Sequence, residues 1–202
     1  MLAVLGVLTG CATGRSQVDV NFSPTDALQK TAPANGKKVL ISTIDDRVFK
    51  VDPRSSEAPS LKGDEVANKS LTERGIGRKR NGYGQGLGDV VLPSGRTVPQ
   101  LVSQAVSAAY KSAGYEVVTD KSANDVTAVN VHIVEFWSWF SPGILSVTIS
   151  NKAFLRVETA GAPDIDVLTR TSDNVQVVTD SDWKAITESG LKNIALEMRK
   201  QL

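Results

Sequence analysis

Leu8-Thr9-Gly10-Cys11 closes an apolar run, and Cys11 is the one cysteine in 202 residues. This is the spacing of a lipobox. Two small residues let a peptidase reach an extended backbone beside the thiol, and the sulfur takes a diacylglyceryl group. Cys11 then becomes the mature N-terminus, with covalent lipid as its only non-protein group. One acyl chain holds a protein marginally, whereas several anchor it. Residues 1–10 are too short to cross a bilayer, which takes about 20 apolar residues, but match a signal-peptide h-region. The bland alternative is a buried first strand that ends in Gly-Cys. A basic n-region should precede such a run, yet the first cation is Arg15, so the lipobox reading expects either a translation start upstream or a trimmed sequence. Ala12, rather than Asp, after the cysteine points to the outer membrane and its periplasmic face.

Two further clusters carry recognition chemistry. Arg74, Arg78, Lys79 and Arg80 place four cations in seven residues. Arginine forks suit phosphate and carboxylate alike, so the cluster would meet lipid phosphates, lipopolysaccharide or the carboxylates of peptidoglycan stems; it also reads as a solvated loop. Phe136-Trp137-Ser138-Trp139-Phe140 is the densest aromatic run. In a strand the two Phe face one way and Trp137 and Trp139 the other. One pair then fills the core under a helix, and the other packs, meets a partner as a hot spot, or dips into the membrane interface.

Other residues read as structural. His132, the one histidine, has no Ser, Cys or ligand partner at a telling spacing. Asp45-Asp46-Arg47 is an acid pair with a clamp or, more simply, a strand-end salt bridge. The glycines at 82–88 meet neither the dinucleotide nor the P-loop pattern and read as a flexible loop. Asp164 and Asp166 lack a calcium-loop pattern. No catalytic set and no metal site is expected.

The elements that hold these residues follow from periodicity. Val18 to Phe22 alternates as a half-buried strand, and residues 38–44 form a near-continuous apolar strand expected to be covered on both faces. Residues 49–89 lose all period and read as a long, basic, Gly-rich loop; Asp89 to Leu92 follows as a short edge strand. Thr97 and Gln100 form a capping box for a helix over about 97–113, closed at Gly114. A strand at 115–118 completes a crossover. Residues 125–138, 145–158 and 166–178 make an antiparallel meander, and Asp180 or Ser181 caps a second long helix over about 181–201. The expected architecture is α+β: a mixed, mainly antiparallel sheet with two helices packed on it. Residues 11–16 form a lipidated tether and 17–202 one periplasmic domain. A net charge of +1 argues against attraction to nucleic acid.

The lipobox, the strand ending Ile44-Asp45-Asp46-Arg47, the Gly75-Ile76-Gly77 and Asn81-Gly82-Tyr83-Gly84 segments, and the helix ending Lys111-Ser112-Ala113-Gly114-Tyr115 resemble the YajG-like family of outer-membrane lipoproteins. The resemblance covers most of the mature chain. It implies the fold class, location and non-enzymatic status, and supplies no catalytic residues. The function expected is a membrane-tethered, non-catalytic domain that binds an envelope component, with a protein partner first and peptidoglycan second. A passive structural lipoprotein and a cell-wall hydrolase are the alternatives.

Overall fold

The computed structural model describes residues 14–120 and 125–202. Cys11 and its lipobox lie outside them. The strands are β1 (Ser16–Gln17), β2 (Lys38–Asp45), β3 (Lys50–Val51), β4 (Ser60–Leu61), β5 (Gly75–Arg80), β6 (Gly86–Val91), β7 (Glu116–Val118), β8 (Val126–Pro142), β9 (Val147–Thr159) and β10 (Ile165–Val175). The helices are α1 (Asp26–Gln29), α2 (Lys69–Thr72), α3 (Val98–Ser112) and α4 (Asp180–Gln201), with a 3-10 turn at Gly63–Ala67.

The fold is α+β, centred on β8. One edge of β8 pairs antiparallel with β9, and β9 with β10, forming the expected meander. The other edge is shared. β2 runs parallel to β8 from Lys38 opposite Val126 to Asp45 opposite Ile133. Farther along, β5 joins it in parallel, with Gly77 opposite Ser138. β7 extends the sheet beyond β2, and β6 and then β1 extend it beyond β5.

Both long helices pack with β2, β8 and β9 around one core. In α3 the capping box forms as the sequence predicts: Thr97 Oγ1 accepts from Gln100 N, and Thr97 N donates to Gln100 Oε1. At α4 the cap is Thr179, one residue earlier than expected, and its N–H and hydroxyl both donate to Asp182. Trp183, Ile186, Leu191, Ile194 and Met198 of α4 are buried on one face. Gly190 lets that helix sit on a buried polar contact, in which Asn151 donates to Ser138, and Ser138 meets Thr187.

A bulge after Ile133 exchanges the faces of β8. Val129, Val131 and Ile133 face the helices before it, and Phe136, Ser138 and Phe140 after it. Trp137 and Trp139 therefore point to the opposite face.

Three expectations need correction. Residues 49–89 are not one loop. They hold β3, β4, α2, β5 and the start of β6, because close backbone approach and buried ion pairs replace apolar alternation there. Residues 18–22 lie beyond β1, although Val18 and Val20 are buried in alternation. β2 is flanked on both edges, but Ile44 is exposed, so one of its faces is not fully covered.

Candidate anion-binding cavity beside strand β5

Strand β5, Gly-Ile-Gly-Arg-Lys-Arg, is buried along its whole length. Four backbone features shape the surroundings of this strand. Gly77 lies against Trp183, where a Cβ would stand 2.6 Å from the ring. Gly86 on β6 lies under the Arg78 guanidinium, where a Cβ would stand 2.3 Å from Nη2. Gly88 admits the backbone of Gly14, whose carbonyl would be 1.8 Å from a Cβ. The Asn81-Gly82-Tyr83-Gly84 turn closes the hairpin through Asn81 N to Gln85 O at 2.9 Å. Gly86 and Gly88 thus serve close packing of β6, not the flexible loop expected, while Gly84 takes a positive φ in the turn with nothing within 4 Å of an added Cβ.

The four cations take different partners. Arg74 Nε donates to Leu92 O at 2.8 Å. Lys79 Nζ bonds Ser16 Oγ at 2.6 Å and lies 3.7 Å from Asp180. Arg80 donates to Gly84 O and Ser60 Oγ at 2.7 and 3.0 Å. Burial, and then the neighbouring Arg78 charge, hold the Arg80 pKa below the usual arginine value, while Asp52 opposes the shift. Arg78 is 6 % exposed and lies 3.2 Å from Asp52 and 3.7 Å from Asp89. Its Nε and Nη1 are buried with no hydrogen-bond partner among the described residues, as is Oδ1 of Asp89. Nε and Oδ1 face each other as that ion pair, which leaves Nη1 as the buried donor without an acceptor.

Arg78 lines a cavity of about 1150 Å³. Five cations (Arg15, Arg54, Lys62, Arg78 and Arg80) face three carboxylates (Asp52, Glu65 and Asp89), and Tyr83 and Gln85 stand at the hairpin rim. Arg15 ties this wall together by bonding both Glu65 and Asp89. The excess of two positive charges in a concave, partly desolvated site suits an anionic oxygen acid.

The structure brings Arg78 and Arg80 into this cavity and turns Lys79 to the other side of β5, where it lines a separate groove. Arg74 lines neither. The expectation that the cluster is a loop exposed as a unit is thus corrected: Arg78, Lys79 and Arg80 are buried. The Trp pair is also covered. Trp137 and Trp139 are 0 % and 2 % exposed. Trp137 Nε1 donates to Ser56 O at 3.1 Å and its ring meets Phe49 edge-on. Trp139 lies under the Arg170 guanidinium, 4.9 Å from the ring centroid, and Arg170 is held by Glu57. Residues 49–57 therefore roof the second sheet face.

Asp45 and Arg47 form the strand-end salt bridge. Arg47 makes two bonds of 2.7 Å to the Asp45 carboxylate and also donates to the carbonyls of Gly75, Thr72 and Phe136. His132 sits at a strand position, with Nδ1 2.6 Å from Asp46 and Nε2 3.7 Å from Glu158. Sequence reasoning missed Arg15, Arg54, Lys62, Asp52 and Asp89 as cavity residues. One signal was present: Gly86 and Gly88 stand two apart, at the period of a strand.

Among the described residues no group of His, Cys, Asp or Glu is placed to hold a metal, and no helix is long and apolar enough to cross a membrane. No protein-family model and no curated protein matches the sequence. Solved structures similar to it include a Xanthomonas campestris protein of the DUF330 family, at 13% identity over 93% of this chain and 94% of that one, with TM-score 0.46. A minor lipoprotein from Acinetobacter baumannii is similar at 9% identity over 84% and 92%, with TM-score 0.40. An uncharacterized protein is similar at 10% identity over 94% and 97%, with TM-score 0.46. Likenesses at these scores assign neither a family nor a function.

Proposed function

We propose that this chain is a lipid-anchored, non-catalytic domain of the bacterial outer membrane that binds an envelope component, and that the cavity beside β5 receives an anionic group of that component. The observation that carries the reading is Arg78, a guanidinium more than nine-tenths buried that lines an open cavity, with Nε ion-paired to Asp89 and Nη1 without an acceptor among the described residues. A planar fork held flat on Gly86 is preorganised for a carboxylate or phosphate, so less side-chain entropy is lost on binding. A carboxylate on a protein partner is the first choice and a peptidoglycan stem the second. The lining offers guanidinium, carboxylate and glycine backbone, which is recognition chemistry rather than a nucleophile held against a base. The lipobox supports the anchor, and anchoring raises the effective concentration of surface ligands, so one modest site suffices.

The test is in-cell photocrosslinking from Gln85, at the cavity rim, followed by mass spectrometry. Arg78→Gln and Cys11→Ser serve as comparisons. A discrete protein adduct that needs both Arg78 and Cys11 is expected. Glycan adducts would move the ligand to peptidoglycan. An adduct indifferent to Arg78→Gln would remove the cavity from the function.

A further inference from the structure

Strand pairings place four segments at one end of the domain. β5 runs parallel to β8, so the turn at 81–85 and the turn at 143–146 point the same way. β10 ends with Val175 opposite Val147, the first residue of β9, which brings 176–179 to that end. Gly14 N donates to Leu87 O at 2.8 Å beside the start of β6, so the described chain also enters there. A groove of about 750 Å³ runs beside segment 176–179 and is lined in part by Leu87, Phe140, Val147, Val177 and Trp183.

The chemistry of this end is distinct. Ile144 is 100 % exposed, Tyr83 94 % and Leu145 87 %, and Val177 is exposed as well. Segments 81–85, 141–146 and 176–179 contain no charged residue. The opposite end, where β2 and β8 begin and β9 turns into β10, carries Lys37, Asp125 and Asp164. Apolar side chains gathered on uncharged tips suit a partner that is itself apolar beneath a polar skin.

Chain length names that partner. Cys11 is three residues before Gly14, and consecutive Cα atoms are about 3.8 Å apart. Chain length alone would keep a lipidated Cys11 within about 11 Å of Gly14. So short a link holds the surface around Gly14 against whatever holds the acyl chains.

We propose that this end of the domain is a membrane-docking face, with Ile144, Leu145, Tyr83 and Val177 seated in the interface of a phospholipid bilayer. The inference rests on lipidation of Cys11. Docking turns a lipid tether into a fixed orientation: the β9–β10 turn points away from the membrane, and the mouth of the Arg78 cavity, with Tyr83 on its rim, lies near the bilayer surface.

The experiment uses the full mature, lipidated chain in vesicles of phosphatidylethanolamine and phosphatidylglycerol. An environment-sensitive fluorophore is attached at Ile144→Cys, with Ala162→Cys at the opposite end as the reference; mass spectrometry first establishes acylation of Cys11. The expected result is several-fold stronger quenching by doxyl lipids at position 144 than at 162, with matching protection from aqueous iodide. If Cys11 is acylated and the protein co-floats with vesicles, but both labels remain in water, the docking face is wrong and the anchor stands. If no acyl mass is found on Cys11, the anchor fails and the docking face falls with it.

Discussion

Strand β8 has two edges, built on different plans. Along one, β9 follows it from Thr159, opposite Val129, to Val147, opposite Pro142, with one bulge. Along the other, β2 stops opposite Ile133 and β5 arrives only at Ser138. The guanidinium of Arg47 spans the interval, taking the carbonyls of Phe136 and Gly75 while Asp45 holds it in place. The first edge is satisfied by repetition, so its stability is spread over many bonds of about 1 kcal/mol each. The second concentrates the same task in one charged side chain, and a side chain can be lost in one step.

Arg47→Met should break the second edge outright. It leaves the largely buried Asp45 carboxylate without its charged partner and removes one donor from each of three carbonyls. Removing one member of such a pair costs about 3–5 kcal/mol. Urea unfolding measures this, and a loss under about 1 kcal/mol would show that the gap closes without the plug.

Gly190→Ala asks whether the repetitive side has a fragile point of its own. Helix propensity alone favours Ala by about 1 kcal/mol. The added Cβ would lie 2.0 Å from Asn151 Oδ1, and Asn151 is fully buried and bonded to Ser138. We expect overpacking to win, with a net loss of about 2 kcal/mol. A raised melting temperature would mean that Asn151 moves aside.

Thr97→Ala touches neither edge and should lower stability by about 1 kcal/mol through the cap of α3. The urea midpoint should shift with the slope unchanged; a changed slope would mean the crossover helix unfolds by itself.

The smallest effect is at Tyr110. Burial raises its pKa, against the opposing bond to Thr159. The folded state thus holds the phenol proton more tightly than the unfolded chain. That contribution is complete below the unfolded value, about 10, and is lost as pH climbs through the raised folded value. Tyr110→Phe should flatten the alkaline decline in melting temperature, and an identical decline in both proteins would remove Tyr110 as its source.

Legibility in the sequence divides along the same line. Repetition writes itself into residue order: the alternating runs of β8 to β10 and the Trp183 to Met198 face of α4 were readable from period alone. Thr97 and Gln100 were readable because a cap is local. Strand β5 was not, because its buried residues are cations whose partners lie far along the chain: Ser16 for Lys79, Ser60 for Arg80, Asp52 and Asp89 for Arg78. Glycine misled in the same way. Flexibility and close packing call for the same residue, and only the neighbour that a Cβ would strike tells them apart. The cavity was half legible, since the cations were visible and their burial was not.

The shared edge of β8 also sets an order of assembly. The β8–β9–β10 meander joins neighbours in the chain, whereas Gly77 and Ser138 are roughly 60 residues apart and meet in parallel. Closing that larger loop costs entropy before any contact repays it. The β5–β6 hairpin should therefore dock late and detach early, exchanging its amide hydrogens through openings smaller than global unfolding. Arg78 and Arg80 travel with that hairpin, so each such opening would dismantle the cavity while the meander and α4 stay folded.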